Sequence, residues 1–347
     1  MPLSVLDFLA QAKTLPIIDV RSPGEFAYAH IPGAVSMPLF DDTERAQIGT
    51  TYKQVSKDAA VLQGLDMVGP KMSHFVREAQ KLNPAGKQVL VHCWRGGMRS
   101  GSMAWLLNTA GLQATTLEGG YKAYRTEVLA SFAEPRNLII LGGKTGSGKT
   151  DILKQLAAQG EQVIDLEGLA HHKGSSYGAI GQLPQPSSEQ FENRVYEQWR
   201  QLDPARRIWL EDESRSIGRC YVPVPLWQQM RTTTVAFIDV PRDVRVQRLV
   251  QEYTGIDHEL LVEATKRIER RLGGLAAKQS LAALEQQDYA TVADLTLVYY
   301  DKAYLHGLAE RATDLVHQLP VATDNPSQTA SELIAWADVH TEKGVLR

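Results

Sequence analysis

Two short stretches of this sequence carry residue types whose spacing could do chemistry. In VLVHCWRGGMRS, Cys93 ends an apolar run and enters a loop holding Arg95, Gly96, Gly97 and Arg99, with a helix expected to begin near Ser100. The glycines let the backbone turn tightly. N–H groups and a helix N-terminus then converge near the sulfur, and with two guanidinium charges beside it they favour thiolate over thiol. A cysteine so placed is a candidate nucleophile. Cys220, in GRCYVPVP, lacks that setting and reads as a buried structural thiol. Further along, Gly143-Lys144-Thr145-Gly146-Ser147-Gly148-Lys149-Thr150 matches G-x-x-x-x-G-K-[ST] between an apolar run and an amphipathic stretch. Its backbone N–H groups would cradle a phosphate chain at a helix N-terminus. Lys149 would bridge the outer phosphates, and Thr150 is placed to hold a magnesium ion.

A second strand end, RRIWLEDESRSIG, brings Glu211, Asp212 and Glu213 as candidates for a metal or water position beside that loop; a solvated acidic turn is the other reading. In VAFIDVPRDVRVQRLV, the row Arg242, Arg245 and Arg248 is placed to serve the phosphate site, as in many small P-loop kinases. The run His171-His172-Lys173 suggests no metal centre, because adjacent side chains on a loop seldom converge on one ion, and no structural zinc is expected.

Both loops need a strand behind them and a helix after them, and the rest of the chain supplies that pattern. LPIIDV, KQVLVHC, RNLIILGG, EQVIDLEG, RRIWLEDE and TVAFIDV read as strands alternating with amphipathic helices such as TDILKQLAAQG. The alternation predicts an α/β fold with parallel sheets. The likeliest seam is SFAEPRN, where a helix-like stretch ends at Pro135 and a new strand begins. It predicts domains over 1–130 and 136–347, the second interrupted by a helical lid or inserted arm around 257–287. With 347 residues, 43% hydrophobic and 22% charged, each domain is large enough for its own core. Two cysteines cannot build a disulfide framework, and neither a signal-like leader nor a long apolar run is present, which makes the cytoplasm the default expectation and a membrane an unexpected partner. The net charge of −3 gives no general argument for nucleic acid, so any basic surface must be local.

The strings IIDVRSPGEFAYAHIPGAVSMP, VHCWRGGMRS and LEGGYKAY resemble the rhodanese family over about residues 1–125. The C-x5-R spacing from Cys93 to Arg99 resembles the related cysteine phosphatases, whereas sulfur-carrying rhodaneses usually have a loop one residue shorter. A wider loop admits a tetrahedral oxyanion such as phosphate, thiophosphate or selenophosphate. With GKTGSGKT, DLEGLAHHKGSSYG and EDESRSIG, nearly the whole chain resembles the family of bacterial tRNA 2-selenouridine synthases.

That resemblance implies a transferase acting on tRNA at a wobble 2-thiouridine. A geranyl group from geranyl diphosphate is placed on the sulfur, and selenium from selenophosphate then replaces it. The P-loop would hold diphosphate, with magnesium as an optional aid and no tightly bound cofactor. Cys93 would receive selenium as a perselenide or assist its delivery, with Arg95 and Arg99 on the oxyanion, and a selenophosphate supplier would be a transient partner. A tRNA substrate calls for cationic surface. KRIERR offers Lys266 with Arg267, Arg270 and Arg271 at i, i+3 and i+4 of one helical face; ion pairing to Glu263 and Glu269 is the alternative. Tyr299, Tyr300 and Tyr304 could stack on an extruded base or simply pack. Two classes compete with this reading: a cysteine phosphatase or rhodanese domain fused to a small-molecule P-loop kinase, and a non-catalytic rhodanese module that regulates a P-loop enzyme.

Overall fold

The structure, a computed structural model, describes residues 1–342, with side chains to His340; residues 343–347 of the expected second domain lie outside the described residues. The chain divides into two compact units, Met1–Ser131 and Phe132–Arg347.

In the first unit a four-stranded parallel sheet runs in the order β2-β1-β3-β4, from β1 Ile17–Asp19, β2 Val35–Ser36, β3 Gln88–His92 and β4 Gln113–Thr116. Strand β3 is central and buried from Val89 to His92, so the loop beginning at Cys93 leaves the sheet from a fixed point. Met103 and Leu107 of the helix Met98–Thr109 pack with Ile18, Val89 and Val91 in one core. That helix starts two residues before the expected Ser100 position.

Beneath the loop the buried pair Asp19 and Arg21 is joined by a bidentate contact, with Arg21 Nη2 at 2.6 Å from Asp19 Oδ2 and 2.7 Å from the Ala29 carbonyl. His92 lies between Asp19 and the Tyr121 ring, fully buried, and burial pushes its pKa down to about 4. This folded value lies below the unfolded one of about 6.5, so the unfolded chain takes up the proton first as pH falls. Stability therefore drops from about pH 6.5 and levels off below about pH 4, by roughly 3 kcal/mol from this group. Asp19, whose carboxyl is held low by His92 and Arg21 despite its burial, adds a further loss at the acid end. Urea titrations at pH 7 and pH 4.5 check this, and His92→Gln should flatten the difference.

The second unit contains a five-stranded parallel sheet, β11-β10-β5-β7-β6, from β5 Leu138–Gly143, β6 Gln162–Ile164, β7 Ile208–Glu211, β10 Val235–Asp239 and β11 Val316–Pro320. A small antiparallel hairpin of β8 Ser216–Ile217 and β9 Cys220–Tyr221 sits outside it. Strand β5 is central and buried throughout, and its C-terminal end feeds the phosphate-loop sequence into the helix Lys149–Ala158.

The region 257–287, expected as a helical lid or inserted arm, is helical. It consists of the helices His258–Arg267, Glu269–Leu272 and Gly274–Glu285, and the long helix Tyr289–Ala309 follows. Leu261, Ala264, Leu284, Val292 and Leu297 close over Leu249 and Tyr253 of the helix Arg242–Thr254, so this region is a packed subdomain with its own core. No helix among the described residues is long and apolar enough to cross a membrane.

Candidate functional site

The Cys93 loop is held in shape by the following glycine pair. Leu117 to Gly120 pack directly against it: Tyr121 N–H donates to the Cys93 carbonyl at 2.8 Å and Lys122 N–H to the Trp94 carbonyl at 2.9 Å. Gly120 has φ +61°, and a Cβ there would lie 2.4 Å from both the Cys93 carbonyl oxygen and the Gly96 nitrogen, so no side chain fits. LEGG is thus the second half of the cysteine loop.

The sulfur is buried, with Cys93 only 3% exposed, and lies 3.2 Å from the Ser100 hydroxyl. Burial alone would raise its pKa. The Ser100 hydroxyl, the N–H groups of Ser100 and Arg95 and the Arg99 charge outweigh that and hold the thiol below its ordinary range. Arg95 is exposed, whereas Arg99 is engaged by Glu25 at 2.9 Å, with Arg45 on the same carboxylate at 3.7 Å. Glu25, absent from the expected set, therefore tempers the charge of Arg99. Cys220 behaves oppositely: it is buried, and burial pushes it up to about 11. Ser100→Ala removes a donor to the Cys93 thiolate, so the pH profile of Cys93 alkylation should move to higher pH. An unmoved profile would show that backbone N–H groups alone set the thiolate.

In the second unit the phosphate loop is fixed from both sides. Gly148 stands at the helix N-terminus with φ +78°, and a Cβ there would come 3.2 Å from the Arg248 guanidinium. Lys149 Nζ donates to the Gly143 carbonyl at 2.9 Å, and Lys144 pairs with Asp239 at 3.0 Å. Ser147 is buried with no partner for its hydroxyl among the described residues, a donor and acceptor inside the cradle. The Gly143 N–H donates to the Tyr304 hydroxyl at 2.9 Å; that hydroxyl donates to Asp212 at 2.8 Å, and Arg311 pairs with the same carboxylate. Arg245 is buried, donates to the Thr145 carbonyl at 3.1 Å and grips Asp301 through both Nη atoms at 2.8 Å. Arg248 pairs with Asp151 and Asp324, and Arg242 with Asp294. Arg245 thus braces the phosphate loop and Arg248 the helix that follows it, whereas the Arg242 pair lies on the helix Tyr289–Ala309.

The acidic strand end is not a solvated turn. Glu211 is fully buried and accepts from the Leu166 N–H at 3.0 Å, and Asp212 is bound by Tyr304 and Arg311. Glu213 faces Glu167: a Cβ on Gly174 would lie 2.9 Å from Glu167 Oε1 and 3.0 Å from both Glu213 carboxylate oxygens. Burial first, then Glu167, pushes the Glu213 carboxyl up against the opposing pull of Lys149; burial and Asp165 likewise raise Glu211. Glu167 accepts from the Thr150 hydroxyl at 2.9 Å. DLEG and EDE therefore meet at the phosphate loop from the ends of β6 and β7. Only the position of Glu167 just after an apolar run could have suggested this from sequence.

Other expected residues fall elsewhere. The helix is interrupted at Ile268, with φ −104° and ψ 6°, so Arg267 ends one helix and Arg270 and Arg271 lie on the next; a single i, i+3, i+4 face does not exist. All four cations of KRIERR are nevertheless exposed, Arg267 lies 3.7 Å from Glu263, and Arg271 reaches the Tyr299 hydroxyl at 3.5 Å. Tyr300 accepts from the Ser176 N–H at 3.1 Å, and the Tyr304 ring stacks on Phe237, so these two are packed. His171 is spent on the Pro184 carbonyl and Arg194, and Lys173 pairs with Glu252. No group of three or more His, Cys, Asp or Glu side chains among the described residues is arranged to hold a metal ion.

A rhodanese-type cysteine loop in one unit and a P-loop in the other define the class, a two-domain α/β enzyme. The rhodanese-like domain model matches residues 2–127, and the model described as the tRNA 2-selenouridine synthase AAA domain matches residues 136–323. Relatives named tRNA 2-selenouridine synthase from Bordetella petrii, Bdellovibrio bacteriovorus and Aeromonas salmonicida are 35%, 34% and 34% identical, over 88%, 86% and 87% of this chain and 90% of each of theirs. The chain belongs to the tRNA 2-selenouridine synthase family.

Proposed function

We propose that this enzyme converts wobble 2-thiouridine of tRNA into 2-selenouridine through an S-geranyl intermediate. The observation that carries the reading is the presence, in one chain of this family, of two anion cradles with different chemistry: one with a stabilised thiolate, one with a P-loop lysine and no cysteine.

In the first step the 2-thio sulfur attacks C1 of geranyl diphosphate, and the N3 proton of the base is lost to water. The C–O bond breaks and its electron pair leaves on diphosphate. The N–H groups of the loop from Lys144 to Thr150, with Lys149, stabilise the charge on that leaving group. Magnesium suits the hard oxygen ligands Thr150, Glu167 and Glu213, and would add neutralising charge there. The raised Glu213 carboxyl fits that donor set, because a cation beside it would favour the carboxylate.

In the second step selenium adds at C2 and the C2–S bond breaks, the pair leaving on geranyl thiolate. Cys93 handles the selenium, with Arg95 and Arg99 on the phosphate oxygens of selenophosphate. Attack of the Cys93 thiolate on phosphorus frees selenide and leaves a phosphorylated cysteine that water hydrolyses. This route balances without an oxidant, which a perselenide formed from selenophosphate would need unless phosphite departed.

The tRNA is bound through phosphate contacts, to which the exposed Lys266, Arg267, Arg270 and Arg271 contribute, and the selenophosphate supplier acts transiently. Mass analysis of nucleosides from 2-thiouridine tRNA, incubated with geranyl diphosphate and then selenophosphate, tests the reading. S-geranyl and then seleno products are expected; absence of both overturns it.

A further inference from the structure

A cavity of about 790 Å³ lies within the first unit, between the helices Asp42–Gln54 and Lys57–Val68 and the first turn of the helix that carries Arg99. Its size falls within the roughly 300–1,000 Å³ of small-molecule sites. Phe40, Ile48, Val61, Leu65 and Val68 line it with hydrocarbon. Several of the lining apolar side chains face water: Val61 is 36% exposed, Tyr52 53%, Met98 57% and Leu65 61%. Such a concentration of exposed hydrocarbon around one concavity marks a binding site.

Its polar lining comes from Arg45 and Arg99 near the cysteine loop and, further along the helix Asp42–Gln54, from Thr50, Lys53 and Gln54. Arg45 and Arg99 converge on Glu25, and Met98, Arg99 and Ser102 belong to the turn and helix that follow Cys93. A ligand with an anionic head and a hydrocarbon tail matches this layout. The tail would lie in the pocket between the two helices and a nucleotide phosphate would meet the exposed Arg45, leaving Arg99 to the selenophosphate.

We infer that this cavity takes the ten-carbon chain of the S-geranyl nucleotide during selenium transfer. The inference rests on the two-step reading above. It gives the geranyl group a purpose beyond improving the leaving group: the chain anchors the modified nucleotide beside Cys93, so the selenium-transfer site selects the alkylated intermediate over the unalkylated thiouridine. Two sources share this chemistry, the S-geranyl nucleotide and geranyl diphosphate, and the inference commits to the first because the cavity adjoins the cysteine loop within one unit.

The test uses the full-length protein carrying Leu65→Glu or Val61→Trp, both at partly exposed positions, with pre-geranylated tRNA plus selenophosphate in one arm and 2-thiouridine tRNA plus geranyl diphosphate in the other. Selenation of geranylated tRNA should lose at least about tenfold in kcat/KM, while geranyl transfer holds within about twofold. Wild type should also prefer S-geranyl over S-methyl tRNA, and the variants should lose that preference. Cys93 alkylation at the wild-type rate establishes that the loop is intact in each variant. Normal selenation by both variants, with wild type active, overturns the cavity assignment alone. An equal loss in the geranyl-transfer arm overturns it in favour of geranyl diphosphate as the occupant. Failure of wild type to selenate pre-geranylated tRNA overturns the two-step reading itself.

Discussion

Cys93→Ala is expected to stop the reaction at the S-geranyl intermediate. Geranylation should run at its wild-type rate, and seleno product should fall by on the order of 10³-fold or more, the scale at which loss of a nucleophile is felt when it acts as part of a unit. The physical ground is that the loop has no second nucleophile. Ser100, the nearest hydroxyl, is 3.2 Å from the sulfur and also reaches the Gly97 carbonyl at 3.2 Å, and an unactivated hydroxyl does not replace a thiolate. Time courses of both nucleosides by mass spectrometry separate the steps. Full selenation by Cys93→Ala, with geranylation also unchanged, would remove the thiolate from the mechanism, and a Cys93→Ser variant with partial activity would show that the cradle alone suffices.

Lys149→Ala should act one step earlier. Its ammonium lies 2.9 Å from the Gly143 carbonyl, inside the loop, where the proposed first step would develop charge on a departing diphosphate. Removal of one preorganised donor at such a site typically costs about 10²–10³-fold in rate. Geranyl transfer should fall by that amount, while selenation of tRNA supplied already geranylated should be unaffected. Initial rates with labelled geranyl diphosphate provide the measurement. Normal geranylation would mean that the diphosphate binds elsewhere, and an ATP-dependent phosphoryl transfer lost in the same variant would favour the kinase alternative.

Several features were legible in the sequence because local chemistry forces them. The six apolar runs read as strands are β1, β3, β5, β6, β7 and β10, each with residues buried from solvent. The glycine-rich phosphate loop sits between β5 and a helix because that motif makes no sense elsewhere. Strands β4 and β11, spelled QATT and VHQLP, escaped notice because edge positions leave them half exposed and polar. The KRIERR face was misread for a related reason: a period of 3.6 residues cannot reveal that the helix breaks at Ile268.

Contiguous residue spacing is enough to define the chemistry available: a thiolate-stabilising loop, a phosphate-loop motif and the family they share. Both motifs are contiguous, so their residue spacing fixes their geometry. Tertiary structure alone decided how these parts are tuned. Glu25 on Arg99, the clamp of Tyr304, Asp212 and Arg311 on the phosphate loop, and Glu167 opposite Glu213 join residues far apart in the chain. So does the apolar cavity beside the cysteine loop, formed by helices with no chemical signature of their own. Contacts of this kind depend on which strand ends and helix faces the sheet order brings together, and no local pattern encodes that order.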